Sequence, residues 1–397
     1  MTTVAMLLAQ ELTRAGVTTV FGLPGGENVQ VMDALRQAGL RFVLVRNESS
    51  ALFMADAMAR ITGKPGVCVT TLGPGALNAL AGVGHAFLDR SPILIITAET
   101  PEHLLSYHTH QVIDLAALFQ PLTKGSFQLR ADNAATIAPY ALALTQVGRP
   151  GPVHLRVSNE EANLDSPDPA LADPPDPAAT AVSAQIDQPT ASGAENLAAA
   201  RARLARSPRP PTVAGVRLEP EQPYPALREL AESAGAPVIV TPKAKGALPD
   251  DHALAAGVIG LTRSDPAYEL LDEADAIIAV GFDVVELVKP WQQPQPLVWL
   301  APWPNVEPTL AAVAELVGPL TPNLRQLADS HSASEPGWGA ARVARWRQRQ
   351  SARPLPTAAA GRLRPQQGLE TLRRFAPPDL LGVTDVGSPK NPARVFW

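Results

Sequence analysis

The residue with the strongest claim to chemistry is Glu48, in the stretch VLVRNESSALFMADAMAR at positions 43–60. Residues 43–45 make a short apolar run that reads as a buried strand. From residue 49 the spacing turns helical, with Leu52, Phe53, Ala55, Ala57 and Met58 three and four apart. Glu48 therefore stands where a strand hands over to a helix, on the edge where open α/β sheets keep their ligand crevice. A carboxyl group held there can exchange a proton with a bound molecule. A plainer role is to complement the dipole of its own helix.

Two glycine turns mark similar handovers. One is GLPGGEN (22–28), with Pro24, Gly25 and Gly26; the other is LGPGALN (72–78), with Gly73, Pro74, Gly75 and Asn78. Glycine in such turns permits positive φ or close packing whether or not a ligand binds. Neither turn has the G-x-G-x-x-G spacing, and no G-x-x-x-x-G-K-[ST] occurs, so a nicotinamide-binding domain and a P-loop are weakly supported. His85 lies inside a helical run, where apolar neighbours are expected. His108 and His110 have no Cys, His, Asp or Glu at metal-ligand spacing, so the sequence assigns no metal site. Cys68, the single cysteine, sits in an apolar strand and reads as a core residue.

The elements that must position these residues alternate helix and strand over the first ~160 positions, the pattern of a parallel sheet covered on both faces. Helices are predicted at 4–15, 29–38, from 49, after Gly75 and at 134–147, with strands at 19–21, 43–45, 67–71, 93–97 and 150–158. Residues 159–194 are rich in Pro, Asp and Ala without periodicity and read as a linker. A second α/β unit follows at 195–327, with strands at 211–216, 237–241 and 276–281. Residues 328–364 form another link, whose arginines (Arg342, Arg345, Arg347, Arg349, Arg353) suit a solvated helix. The predicted architecture is α/β: two doubly wound parallel-sheet domains joined by a proline-rich linker, plus a short C-terminal stub (365–397).

Composition narrows the function classes. The 397 residues are 46% hydrophobic and 18% charged with net charge −5, so nothing suggests nucleic acid. No apolar run reaches the ~18 residues of a membrane span. The N-terminus reads as an amphipathic helix and not as a secretory leader, and a lone cysteine fits a reducing cytoplasm.

Four motifs in register carry a family resemblance: VFGLPGGEN, RNESSALFMADAMAR, TTLGPGALNALAGVGHAFLDRSPILIIT and HTHQVIDLAALFQPLTK. In order and rough spacing they resemble the N-terminal, pyrimidine-binding domain of thiamine-diphosphate enzymes, most nearly the acetolactate synthase group. TPKAKGALPDDHALAAGVIG resembles their middle domain, and VTDVGSPKN the opening of their diphosphate-binding domain.

The resemblance implies that Glu48 hydrogen-bonds the cofactor's aminopyrimidine and so promotes loss of a proton from the thiazolium, with the cofactor as electron sink. Asn47 replaces a histidine common in the family. The resemblance also implies an active-site role for Gln111. It gives Pro24, Gly25 and Gly26 a place in a loop reaching the neighbouring subunit's centre, and Gly73, Pro74 and Asn78 a place at the pyrimidine pocket.

The implied substrate is a 2-keto acid, decarboxylated or joined to a second carbonyl, and the implied assembly is a homodimer. The family's G-D-G magnesium motif occurs nowhere in the 397 residues. The expectation is therefore a truncated or split chain, with an incomplete, shared site for thiamine diphosphate. Mg2+ would enter only through the missing domain, supplied by a partner chain, and the isolated chain would be inactive. FAD in the middle domain has no fingerprint to support it. Two other readings stay open: a non-catalytic homologue acting as a binding or regulatory subunit, and a different nucleotide-binding α/β enzyme.

Overall fold

The computed structural model describes residues 2–107, 110–166, 193–262, 265–329, 335–352, 362–377 and 380. His108, most of the proline-rich linker and the motif at 383–391 lie outside them. The chain divides into two compact units, Met1–Gln188 and Pro189–Trp397.

The first unit runs β1 (Thr2–Thr3), α1 (Val4–Arg14), β2 (Thr19–Gly22), α2 (Val29–Gln37), β3 (Arg41–Leu44), α3 (Glu48–Thr62), β4 (Gly66–Thr70) and α4 (Pro74–Asp89). It continues with β5 (Ile93–Glu99), α5 (Leu115–Phe119), β6 (Ser126–Gln128), α6 (Ala134–Gln146), β7 (Val153–Ser158), α7 (Asn159–Asn163) and β8 (Asp165–Ser166). Six strands make one wholly parallel sheet in the order β3-β2-β4-β5-β7-β6. Strand residues alternate between two cores, as the period of two requires. Val67 and Val69 join α1, α2 and α6 on one face, while Cys68 joins α3, α4 and α5 on the other.

The chain steps from β2 out to β3 and then crosses back to β4, so the strand order reverses between β2 and β4. That reversal leaves a crevice at the carboxyl ends of the two strands, with α2 and α3 diverging to opposite faces. On the α3 side the covering helices touch closely. A Cβ added at Gly82 of α4 would lie 2.3 Å from the Leu52 Cβ of α3, so the contact requires glycine.

The second unit comprises α8 (Gly193–Leu204), β9 (Thr212–Ala214), α9 (Tyr224–Ala234), β10 (Val238–Val240), β11 (Ala255–Val258), α10 (Tyr268–Asp272), β12 (Ile277–Val280), β13 (Leu297–Ala301) and β14 (Ala312–Val317). It ends in α11 (Leu320–Ala328), α12 (Gly339–Ser351) and α13 (Pro365–Phe375). Its parallel sheet has the order β11-β10-β9-β12-β13-β14, reversing between β9 and β12. The two six-stranded parallel sheets agree with the predicted fold class.

Several details differ from the sequence reading. Strand β3 begins two residues earlier than expected, because as an edge strand it has exposed ends, Arg41 and Leu44, that break the apolar run. Strands β6, β11, β13 and β14 went unanticipated. Helix α12 falls within the stretch read as a link, yet Val343 and Trp346 are buried in the second unit's core. Of its arginines Arg342 is buried and paired with Glu273 at 2.6 Å, while Arg345 and Arg349 stay exposed as a solvated face requires, Arg349 pairing with Glu269 at 3.0 Å. No helix among the described residues is long and apolar enough to cross a membrane.

The α3–α4 contact is directly testable. Gly82→Val should cost about 1–3 kcal/mol, because neither helix can yield without opening the core. Gly84→Ala, two residues on, places its Cβ in open space and should be neutral or stabilising. Thermal melts of the two variants check the contrast.

Candidate active site

Glu48 is the first residue of α3 and is 4% exposed. Its position is fixed from both directions. Asn47 adopts the extended conformation of an N-cap and accepts the Ser49 N–H through its side chain at 2.9 Å. Across the seam, the Asn78 amide of α4 donates to Glu48 Oε2 at 3.1 Å. The Ser49 hydroxyl returns a hydrogen bond to the Asn78 carbonyl. Beneath lies the fully buried Cys68, whose thiol is pushed up by burial and, secondarily, by the Glu48 charge.

The glycine turns gather around this carboxyl. A Cβ at Gly75 would stand 2.3 Å from Thr71 Oγ1 and 3.2 Å from Glu48 Oε1; one at Gly25 would stand 2.3 Å from Thr71 Cγ2. Side chains at either position would fill the space between the β2 and β4 turns. Pro24 and Gly26 are exposed, and Gly26 has nothing within 4 Å of where its Cβ would be. The first turn is held by Asn28, which is 2% exposed and accepts the Gly25 N–H at 3.0 Å.

Gly73 has φ +53° and precedes Pro74, the first residue of α4. A Cβ there would meet the Gln111 carbonyl oxygen at 2.7 Å, so Gln111 lies against this turn. Gln111 itself has φ +58°, a conformation that costs a non-glycine residue energy and that clusters at functional sites. The structure thus brings Glu48, Gly25, Gly73, Pro74, Asn78 and Gln111 to one end of the sheet. Farther along that edge, at the ends of β5, β7 and β6, a cavity of about 360 Å³ is lined by Glu102, His103, Gln128, Arg130 and neighbours.

His85 departs from its expected apolar surroundings. It faces Asp56 of α3 and Asp89 of its own helix, each at 3.2 Å. The i,i+4 spacing of His85 and Asp89 was available in the sequence, but Asp56 lies 29 residues away from His85 and is joined only by helix packing.

This geometry accompanies a clear kinship. The thiamine pyrophosphate enzyme N-terminal TPP binding domain matches residues 2–118, and the central domain of the same enzymes matches residues 197–305. The chain belongs to the thiamine pyrophosphate enzyme family. It is 34% identical over 283 residues to the "Probable acetolactate synthase large subunit" of Methanocaldococcus jannaschii, covering 70% of this chain and 46% of that one. It is 29% identical over 409 aligned positions to the acetolactate synthase isozyme 3 large subunit of Escherichia coli, covering 99% and 70%. It is also 32% identical over 302 residues to the "Probable 2-ketoarginine decarboxylase" of Pseudomonas aeruginosa, covering 74% and 51%. The chain spans about half the length of the relatives it matches above 30% identity.

In this member of the thiamine pyrophosphate enzyme family the second sheet has its own switch point, and sequence reasoning singled out none of the residues that fill it. Glu286 is 9% exposed and accepts the Val216 N–H at 2.7 Å and the Thr241 hydroxyl at 2.6 Å. Arg217 stacks over Trp303 with its guanidinium carbon 4.9 Å from the ring centre, and stands 3.8 Å from Asp283. Burial pushes the Glu286 carboxyl up to about 7, against its hydrogen bonds and the charges of Lys243 and Arg217. The unfolded carboxyl titrates near 4.5, so the folded state holds the proton between the two values. The stability this contributes is present below about pH 4.5 and is lost as pH rises through about 7. Glu286→Gln should therefore raise the melting temperature at pH 8 relative to the parent and leave it little changed at pH 4.5; melts at the two pH values decide.

Proposed function

We propose that this chain supplies the pyrimidine-activating half of a thiamine diphosphate site for 2-keto acid decarboxylation and carboligation, as in acetolactate synthases. The diphosphate and its Mg2+ are held by a segment carrying the G-D-G motif that these 397 residues lack. The observation that carries the reading is the buried Glu48 carboxyl, facing a glycine-lined crevice and held by Asn78. The crevice suits a flat, polar heterocycle: one carboxyl to meet a ring nitrogen, and turns without side chains to let the ring approach. When bound, thiamine diphosphate supplies the electron sink for breaking the bond to the carboxylate carbon.

The chain's own residues do the rest. Glu48 holds or moves a proton at Oε1 or Oε2, and Asn78 fixes the carboxyl's orientation. The α3–α4 seam keeps water from the carboxyl, which strengthens its hydrogen bond to a bound base. Gln111, pinned against Gly73, faces the substrate side. Decarboxylation and carboligation transfer no net electrons, so the proposal needs no flavin.

The assembly belongs to the same proposal. α3 and α4 leave Phe53, Met54, Ile61, Leu77 and Leu88 exposed, an apolar surface that a second copy of the chain would cover. In such a dimer the loop of Pro24, Gly25 and Gly26, which borders the Glu48 crevice of its own chain, also approaches the neighbouring subunit's centre. We place the protein in the cytoplasm, which the lone buried Cys68 supports.

Calorimetric titration of thiamine diphosphate with Mg2+, into the chain alone and mixed with a G-D-G-bearing segment, tests the reading. Tight binding is expected only in the mixture, together with turnover of one or more 2-keto acids. Glu48→Gln should keep cofactor affinity within about tenfold while lowering turnover about 100- to 10,000-fold. Absence of binding in every mixture, or a Glu48→Gln variant as fast as the parent, would overturn it.

A further inference from the structure

Two turns below Glu48 the α3–α4 seam holds a second cluster, for which the proposed reaction has no use. Asp56 and Asp89 are each 6% exposed, and His85 stands between them at the half-open edge. His85 Nε2 lies 3.2 Å from Asp56 Oδ2 and 3.2 Å from Asp89 Oδ2, and the three atoms lie within 4.8 Å of one another. Arg60 donates to Asp56 Oδ1 at 3.0 Å and to Asp89 Oδ2 at 2.5 Å. Ser91, 2% exposed, turns its hydroxyl toward Asp56, and among the described residues its oxygen has no closer hydrogen-bond partner.

We propose that Asp56, His85 and Asp89 bind a divalent transition ion of the Zn2+ type, with the Ser91 hydroxyl or a water completing the coordination. The spacing supports it. Ligand atoms on a tetrahedral ion with bonds of ~2.0 Å lie about 3.3 Å apart, close to the two observed nitrogen–oxygen separations.

The outer partner supports it as well. Arg60 approaches Asp56 through the oxygen that His85 does not contact, the arrangement of an outer partner that orients a ligating carboxylate, while at Asp89 it shares Oδ2 with His85. An imidazole with two carboxylates selects a borderline ion over Mg2+, which takes oxygen ligands and keeps its waters. The bound ion would clamp α3 to α4, the two helices that carry Glu48 and Asn78.

The test is equilibrium dialysis of the full chain against Zn2+ with Mg2+ in excess, and with Co2+ as a spectroscopic stand-in. One Zn2+ retained per chain is expected, with Co2+ giving the visible absorption of a tetrahedral site and Zn2+ raising the melting temperature. His85→Gln, which keeps a polar group of similar reach, should lower Zn2+ affinity by about 100-fold, and Ser91→Ala by about tenfold. If His85→Gln does not fold, Asp89→Asn serves for the same comparison. No Zn2+ retained at micromolar concentration, or equal retention by a folded ligand variant, would overturn the proposal. The readout is independent of thiamine diphosphate, so its failure would leave the proposed function untouched.

Discussion

A carboxyl group at the start of a helix must be kept from water and given a fixed partner at once, and here both come from the seam between α3 and α4. Gly82 lets the helices meet over Leu52. That approach brings Asn78 within 3.1 Å of Glu48 and the Ser49 hydroxyl against the Asn78 carbonyl. A wider seam would lose the amide first and the exclusion of water next. Unlike a loop contact, the geometry rests on two rigid elements whose shared core includes Leu52, Ala55, Val83 and Ala86. The crevice belongs to the sheet, while the position of the carboxyl within it belongs to the seam.

The two units share a doubly wound parallel architecture, with different strand orders, but use their switch points differently. Each sheet reverses its strand order once, and each reversal makes a crevice at the carboxyl ends of two central strands. In the first unit the turns after β2 and β4 are built from Gly25, Gly73 and Gly75, so the space stays open around one carboxyl. In the second the same space holds Glu286, Thr241, Arg217, Asp283 and Trp303, bound to one another. A filled crevice confers rigidity and an open one confers access. The difference lies in a few turn residues and not in the strands.

The alternating pattern of the first unit was legible because its central strands are continuous apolar runs and its helices have clear punctuation, such as Pro74 and the left-handed Gly63 that ends α3. The position of Glu48 at a handover followed from those two signals. Short or edge elements were not legible. Strand β6 is three half-buried residues, and β13 is fully buried but flanked by proline and glutamine, which read as loop. Trp346 was hidden by the arginines around it. Contacts across long separations were invisible altogether: Gln111 against Gly73, Asp56 against His85, Glu286 against Val216. The family resemblance supplied Gln111, yet its left-handed backbone is a property that no local pattern announces.

Under the proposed function, the separation of the pyrimidine site from the diphosphate site has a physical reason. In that function Glu48 works by being buried, close to its partner and poorly solvated, in surroundings where like charge is felt strongly. A diphosphate brought into that crevice would face the carboxyl in a medium that screens little, and would need a hard cation with several oxygen ligands beside it. Such a ligand set would in turn draw water and negative charge toward the carboxyl. Under the proposed function the two tasks are incompatible within one small crevice, though not within one elongated site whose ends are built by different segments. The carboxyl end needs a tight helix seam and glycine turns, which the first unit has; the phosphate end needs a cation and its oxygens. Under the proposed function, building the two ends from different segments follows from this division of labour, and the cofactor's own length keeps the two environments apart.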